Sequence, residues 1–180
     1  MLIDRNQSML LLVDVQERLL PAMHEAQRVL DNTIWVTRVA QRLGVPVAAS
    51  EQYPRGLGHT HADLRALLTA ECIAEKLHFS CVAAQCLGRL PGGDRRQVVL
   101  CGIESHVCVL QTALELRDQG KDVFLVADAV SSRNPADKTL ALARMRDHGV
   151  EIVSREMVAF EWLGQAGSAE FKDISTNFLR

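Results

Sequence analysis

Six short apolar runs, each separated from the next by polar or helix-periodic sequence, constrain this chain more than any other feature. Met9-Leu10-Leu11-Leu12-Val13 and Val98-Val99-Leu100-Cys101 are the clearest, and 45–49, 72–74, 123–126 and 150–153 repeat the pattern. Continuous apolar runs of this length read as strands buried on both faces rather than as half-exposed ones. Between them, Leu30, Ile34, Val36, Val39, Ala40 and Leu43 mark one face of a helix over 24–43, with Gly44 as its stop. Shorter helices are predicted over 62–68 and 83–90, the second ended by Pro91-Gly92-Gly93. Asn134-Pro135 reads as an N-cap and first helical residue, opening a helix that runs to Gly149.

Strands that alternate with helices need right-handed crossovers and a parallel sheet covered on both faces. The predicted fold is therefore α/β, a three-layer α-β-α sandwich around a six-stranded parallel sheet. If the sheet reverses direction after its third strand, the order is 3-2-1-4-5-6. Ligands then bind beyond the carboxyl ends of strands 1 and 4, where the order switches.

A chain of 180 residues is large enough for one substantial core, so 1–180 reads as a single domain. Its 20 Lys and Arg are dispersed and balanced by 22 Asp and Glu, which gives no electrostatic reason to expect nucleic acid. No apolar run reaches the length of a membrane span. The start, Met1-Leu2-Ile3-Asp4-Arg5, lacks the pattern of a signal peptide, so a cytoplasmic location is expected. Cys72, Cys81, Cys86, Cys101 and Cys108 are odd in number and irregularly spaced, which argues against a disulfide framework or a zinc ribbon.

Two residues fall where the topology puts a site. Asp14 ends strand 1, and Cys108 lies in the first turn of the helix after strand 4. A helix start favours a thiolate, although a buried cysteine is more often a small hydrophobe. Familiar phosphate and nucleophile motifs fail: the first strand–helix turn, VDVQERLLP, has no glycine, and no Walker A or G-x-S-x-G sequence occurs. Leu114 stands where a Cys-x5-Arg loop needs arginine. His106 is two residues from Cys108 and so points elsewhere on the helix. His59-x-His61 alone offers too few ligands for a metal.

Three blocks, LLLVDVQERL, IAEKLHFSCV and VVLCGIESHVCVLQTALEL, resemble the signature blocks of the isochorismatase-like cysteine hydrolases, in order and at fitting intervals. EQYPRGLG and GIESHVC are similar to the isochorismatase domain-containing branch. The resemblance implies a catalytic triad of Asp14, Lys76 and Cys108, with a thioester formed on the cysteine as an amine departs. It also implies an oxyanion hole from the backbone N–H groups of Glu104 and Cys108, with a cis bond between Ile103 and Glu104. Nicotinamidases of this superfamily bind a metal through Asp-x-His and a further His. The corresponding loop here, SEQYPRGLGHTH, has no matching set, so no metal or other cofactor is expected. True isochorismatases lack the cysteine, so Cys108 argues against vinyl-ether cleavage. Gln52, Tyr53, Leu77 and Phe79 are the candidate substrate-binding walls.

The function this implies is metal-independent hydrolysis of a C–N bond in a small amide or carbamoyl compound. A non-catalytic binding or scaffold protein is the alternative, and a thiol-redox role, without C-x-x-C, ranks last. Beyond the sixth strand, 156–180 forms a helix and tail bearing Phe160, Trp162, Leu163, Phe171, Ile174, Phe178 and Leu179. The parallel sheet does not require these residues. They are expected either to fold back over their own subunit or to help bury the interface of a homo-oligomer, most simply a dimer.

Overall fold

Every residue of β1 (Ser8–Val13), β2 (Val47–Gln52) and β4 (Gln97–Ile103) is buried, as continuous apolar runs require when helices cover both faces of a sheet. The computed structural model describes residues 1–179. With β3 (Ile73–Lys76), β5 (Asp122–Ser131) and β6 (Glu151–Val153), these strands form one sheet in the order β3-β2-β1-β4-β5-β6. All neighbours are parallel. The predicted class and strand order are those of the structure.

Alternate residues of each strand feed two separate apolar clusters. Leu10, Leu12, Val99, Cys101, Phe124 and Val126 share a cluster with residues of α1 (Ala26–Arg42). Met9, Leu11, Val98, Leu100, Val123 and Leu125 face the other way, toward α4 (Leu110–Asp118) and α5 (Pro135–Asp147). Each fully buried leucine contributes roughly 1.5–3 kcal/mol, which makes β1 and β4 the backbone of the core. Gly102 of β4 sits against Val13 of β1. Its φ is +121°, and a Cβ there would lie 2.1 Å from the Val13 carbonyl oxygen.

Three boundaries differ from expectation. The apolar run at 45–49 continues as strand through the polar residues Ser50, Glu51 and Gln52, all of them buried. The helix expected over 83–90 is absent except for a 3-10 turn at Leu87–Arg89. Gln85 has a φ of +55°, and the Cys86 N–H returns to the Cys81 carbonyl at 2.9 Å, closing a turn. The helix expected over 62–68 is shortened to α3 (Ala62–Arg65), behind the brief α2 (Pro54–Leu57).

The C-terminal segment folds back on its own subunit as α6 (Arg155–Leu163) and α7 (Ala169–Phe178), beside α1. Trp162 is buried, with Nε1 donating to Ser8 Oγ at 2.9 Å, and Ile174 is fully buried. Trp35 Nε1 donates to the Phe178 carbonyl at 2.9 Å, and the two rings meet edge to face. Most of the aromatic surplus is thus spent within the subunit, while Phe160 stays exposed. Arg180, the last residue of the expected tail, lies outside the described residues. Among the described residues, no helix is long and apolar enough to cross a membrane.

Candidate active site

The carboxyl edge of β3, β2, β1 and β4 delivers four polar groups to one buried point. Asp14 follows β1 in a left-handed conformation, φ +52°, and its N–H is held by the Ser50 carbonyl of β2. Its two carboxylate oxygens are both engaged. Ser50 Oγ–H donates to Oδ1 at 2.6 Å, and Lys76 Nζ, at the end of β3, donates to Oδ2 at 2.7 Å. Neither side chain of this ion pair is exposed at all. An isolated buried ion would be prohibitive, and the pair persists because each member is hydrogen-bonded throughout.

The three N–H bonds of Lys76 go to Asp14 Oδ2, Gln52 Oε1 at 2.7 Å and the Phe79 carbonyl at 2.8 Å. Burial alone would lower the lysine's affinity for its proton, but the charge of Asp14, with the nearby thiols Cys108 and Cys81, more than offsets this and raises it. Lys76 is therefore a fixed cation.

Cys108 sits in a π-helical turn, Ser105–Val109, that leads from β4 into α4. Its Sγ lies 4.0 Å from Gln52 Oε1, the atom that also receives Lys76. Sequence position suggests a thiolate at a helix start; the surroundings reverse that. Burial, and then the Asp14 carboxylate, push the thiol well above the ordinary cysteine range, and Lys76 only partly counters them. At rest the nucleophile candidate carries its proton, with a carboxylate nearby to take it.

The bond between Ile103 and Glu104 is cis, and the Glu104 N–H donates to no protein acceptor among the described residues. The Glu104 side chain turns away to Arg133, whose Nε donates to Oε1 at 2.8 Å. His106 faces Ser132 Oγ at 2.9 Å through Nδ1 and so does not pair with Cys108.

The four expected pocket walls divide. Tyr53 and Leu77, with Pro54, Arg55, Glu75 and Lys76, line a cavity of about 380 Å³. Phe79 is half exposed, and its carbonyl is committed to Lys76. Gln52 faces inward instead: Oε1 receives Lys76, and one N–H of Nε2 donates to the Leu77 carbonyl at 2.8 Å.

Sequence reasoning passed over Ser50, Gln16 and Glu51. Gln16 Nε2 donates to the carbonyls of Gln52 and Gly58, and its Oε1 accepts the Gln52 N–H at 2.7 Å. Glu51 is buried and accepts from the Thr60 N–H and Oγ1, from Arg65 Nη1 at 2.8 Å, and pairs with His59 Nδ1 at 2.9 Å. The one available signal was that these polar residues sit directly beyond apolar runs, where parallel strands end at a site.

These contacts also engage the two histidines of the loop after β2. His59 is bound to Glu51, and His61 Nδ1 accepts the Asp63 N–H as the cap of α3. Among the described residues, no group of three or more His, Cys, Asp and Glu side chains converges in a way that could hold a metal ion. The residues present do not fit the metal of the nicotinamidases.

The isochorismatase domain model matches residues 8–157. The chain belongs to the isochorismatase family. Isochorismatase domain-containing protein 2 of Danio rerio is 37% identical over 170 residues, covering 93% of this chain and 84% of the relative. Among solved structures, MAR1 ribonuclease of Caenorhabditis elegans superposes with a TM-score of 0.89 at 30% identity, covering 100% of this chain and 93% of that one. The YcaC gene product of Escherichia coli, an octameric hydrolase of unknown specificity, gives a TM-score of 0.90 at 22% identity, covering 99% and 91%. Its likeness concerns the fold alone. Isochorismatase membership makes a hydrolase the coarse reading of this site.

Proposed function

We propose that this isochorismatase-family chain is a metal-independent cysteine hydrolase that cleaves the C–N bond of a small amide or carbamoyl compound. The observation that carries the reading is the buried Asp14–Lys76 ion pair at 2.7 Å, whose two charges both act on the Cys108 thiol. As Cys108 Sγ bonds to the substrate carbonyl carbon, its proton passes to Asp14. The N–H groups of Glu104 and Cys108 receive the developing oxyanion. When the tetrahedral adduct collapses, the C–N bond breaks and Asp14 returns the proton to the departing nitrogen. A water, deprotonated by Asp14, then attacks the thioester carbonyl, and the thiol leaves with that proton. Lys76 stays charged throughout and stabilises the anionic sulfur by its field. The cavity with an apolar side from Tyr53, Pro54 and Leu77 adjoins Lys76, and Cys108 is not among its lining residues.

The test is ammonia or amine release from a panel of small amides and ureides, with Cys108→Ala as control. Release that depends on Cys108 supports the proposal. Activity surviving in Cys108→Ala rejects nucleophilic catalysis by this residue, and silence across the panel favours a binding role for the fold.

The name of the C. elegans structure raises a second reading, cleavage of RNA. The net charge of -2 gives it no general electrostatic support. The same Cys108→Ala pair incubated with RNA decides between the two. We also infer assembly into a homo-oligomer, supported by the exposed apolar residues Tyr53, Leu77 and Phe79.

A further inference from the structure

We propose that Gln52 is a positioning residue that fixes the Lys76 ammonium between Asp14 and Cys108, and that Gln16 locks it in place. This rests on the hydrolase reading above for the roles of those three residues, and it assigns Gln52 a role other than touching substrate. An ammonium on a four-carbon stem has no intrinsic direction, so its placement depends on its acceptors. Two of the three, Asp14 Oδ2 and the Phe79 carbonyl, lie on separate segments. The third, Gln52 Oε1 at 2.7 Å, lies on the strand beside β3 and is also the polar atom 4.0 Å from Cys108 Sγ. The carboxamide oxygen thus holds the ammonium beside the thiol, which Lys76 and Asp14 also adjoin directly.

Gln52 is itself held on every polar atom. Its Nε2 donates to the Leu77 carbonyl, its N–H donates to Gln16 Oε1, and its carbonyl accepts from Gln16 Nε2 at 2.9 Å. Gln16 is fully buried, and through Nε2 it also grips the Gly58 carbonyl at 2.7 Å, beyond the loop that bears Tyr53. A carboxamide held at both its oxygen and its nitrogen resists swinging toward a ligand. It can hold a neighbour still. The orientation of the amide is also determined, since reversing it would set an NH2 group against the ammonium.

The experiment compares wild type with Gln52→Met, which keeps length and loses both polar atoms, and with Lys76→Met. Three quantities are read: kcat and KM on a panel substrate, the rate of Cys108 alkylation by iodoacetamide at a fixed pH of about 8.5, the ordinary thiol range, and the ammonium NMR signal of Lys76. In wild type that signal should be visible at neutral pH, because three hydrogen bonds in a dry site slow proton exchange. Lys76→Met assigns it. In Gln52→Met we expect kcat to fall about tenfold or more with KM nearly unchanged, as for loss of a hydrogen bond to a charged group. Alkylation of Cys108 should slow several-fold. A raised KM at constant kcat would make Gln52 a substrate contact and overturn the proposal while leaving the hydrolase reading intact. If no substrate is found, the alkylation and NMR results still decide it. An unchanged alkylation rate in folded Gln52→Met overturns it. So does the absence of a protected Lys76 signal in wild type, which can be read even if Gln52→Met does not fold.

Discussion

At the scale of single residues, the unexpected result is a thiol that is harder, not easier, to ionise. A group whose proton affinity is raised stays neutral across the neutral range and ionises only in alkali. Alkylation of Cys108 in the free protein should therefore be slower at pH 7 than that of a free cysteine, and should climb steeply above pH 9. Peptide mapping of iodoacetamide-treated protein across pH checks this; full labelling of Cys108 at neutral pH contradicts it. Cys86 makes an internal comparison: its bond from Cys81 lowers it to about 7 despite burial, yet it has no exposed surface. Glu51 gives a second pH-dependent case of opposite sign. Burial opposes its charge, but Thr60 and His59 more than compensate and hold its proton affinity below the usual carboxylate range. Its contribution to stability is thus complete at neutral pH and is lost as acid protonates it in the folded state. Glu51→Ala should cost about 1–3 kcal/mol at pH 7 by stranding the Thr60 N–H, and the deficit should shrink toward pH 3 in urea titrations. A deficit that is constant with pH would contradict this.

At the scale of elements, Gly102 shows how closely β1 and β4 are set. Gly102→Ala forces a Cβ into the Val13 carbonyl at a positive φ, so the variant should lose roughly 3 kcal/mol or more. Thermal melts against the mild control Ala83→Gly would show it; a near-neutral Gly102→Ala would mean the strands can part there. β1 and β4 were legible because burial on both faces leaves unbroken apolar runs. β3 and β6 carry the exposed Glu75 and Glu151 and were legible only from the short runs at 72–74 and 150–153. Asn134 was legible as a cap because its side chain does accept the Ala136 N–H. Asp14, Lys76 and Cys108 were legible as candidates through the blocks that contain them. The end of β2 was not, because hydropathy marks Ser50, Glu51 and Gln52 as loop. They are buried through partners outside the strand: Asp14 for Ser50, Thr60 and Arg65 for Glu51, and Gln16 and Lys76 for Gln52. The 83–90 segment misled for the converse reason. Its apolar residues have helical spacing, but a turn closed between Cys81 and Cys86 buries Cys86 and leaves Ala83 exposed.

At the scale of the whole molecule, the tail's apolar face is consumed by α1, so deletion after Gly167 should destabilise the subunit itself rather than only its assembly. What the tail leaves for an oligomer is its exposed side, Met157 and Phe160, beside the apolar surface elsewhere. Light scattering at micromolar concentration should give a mass above the 19.9 kDa of one chain, and Leu77→Glu or Phe79→Glu should reduce it. A monomeric mass for wild type refutes the oligomer. A last consequence follows from where the sheet carries Lys76. Asp14 and Cys108 hang from β1 and β4, the central strands, each flanked on both sides. Lys76 ends β3, four residues long and paired with β2 alone. Edge segments with few partners open locally at lower cost than central ones. Mild denaturant should therefore peel β3 away and extract the cation while the remaining sheet is intact. Catalysis should then fail at a lower urea concentration than the far-ultraviolet dichroism of the sheet and helices, and coincident midpoints would show that β3 lets go only when everything does.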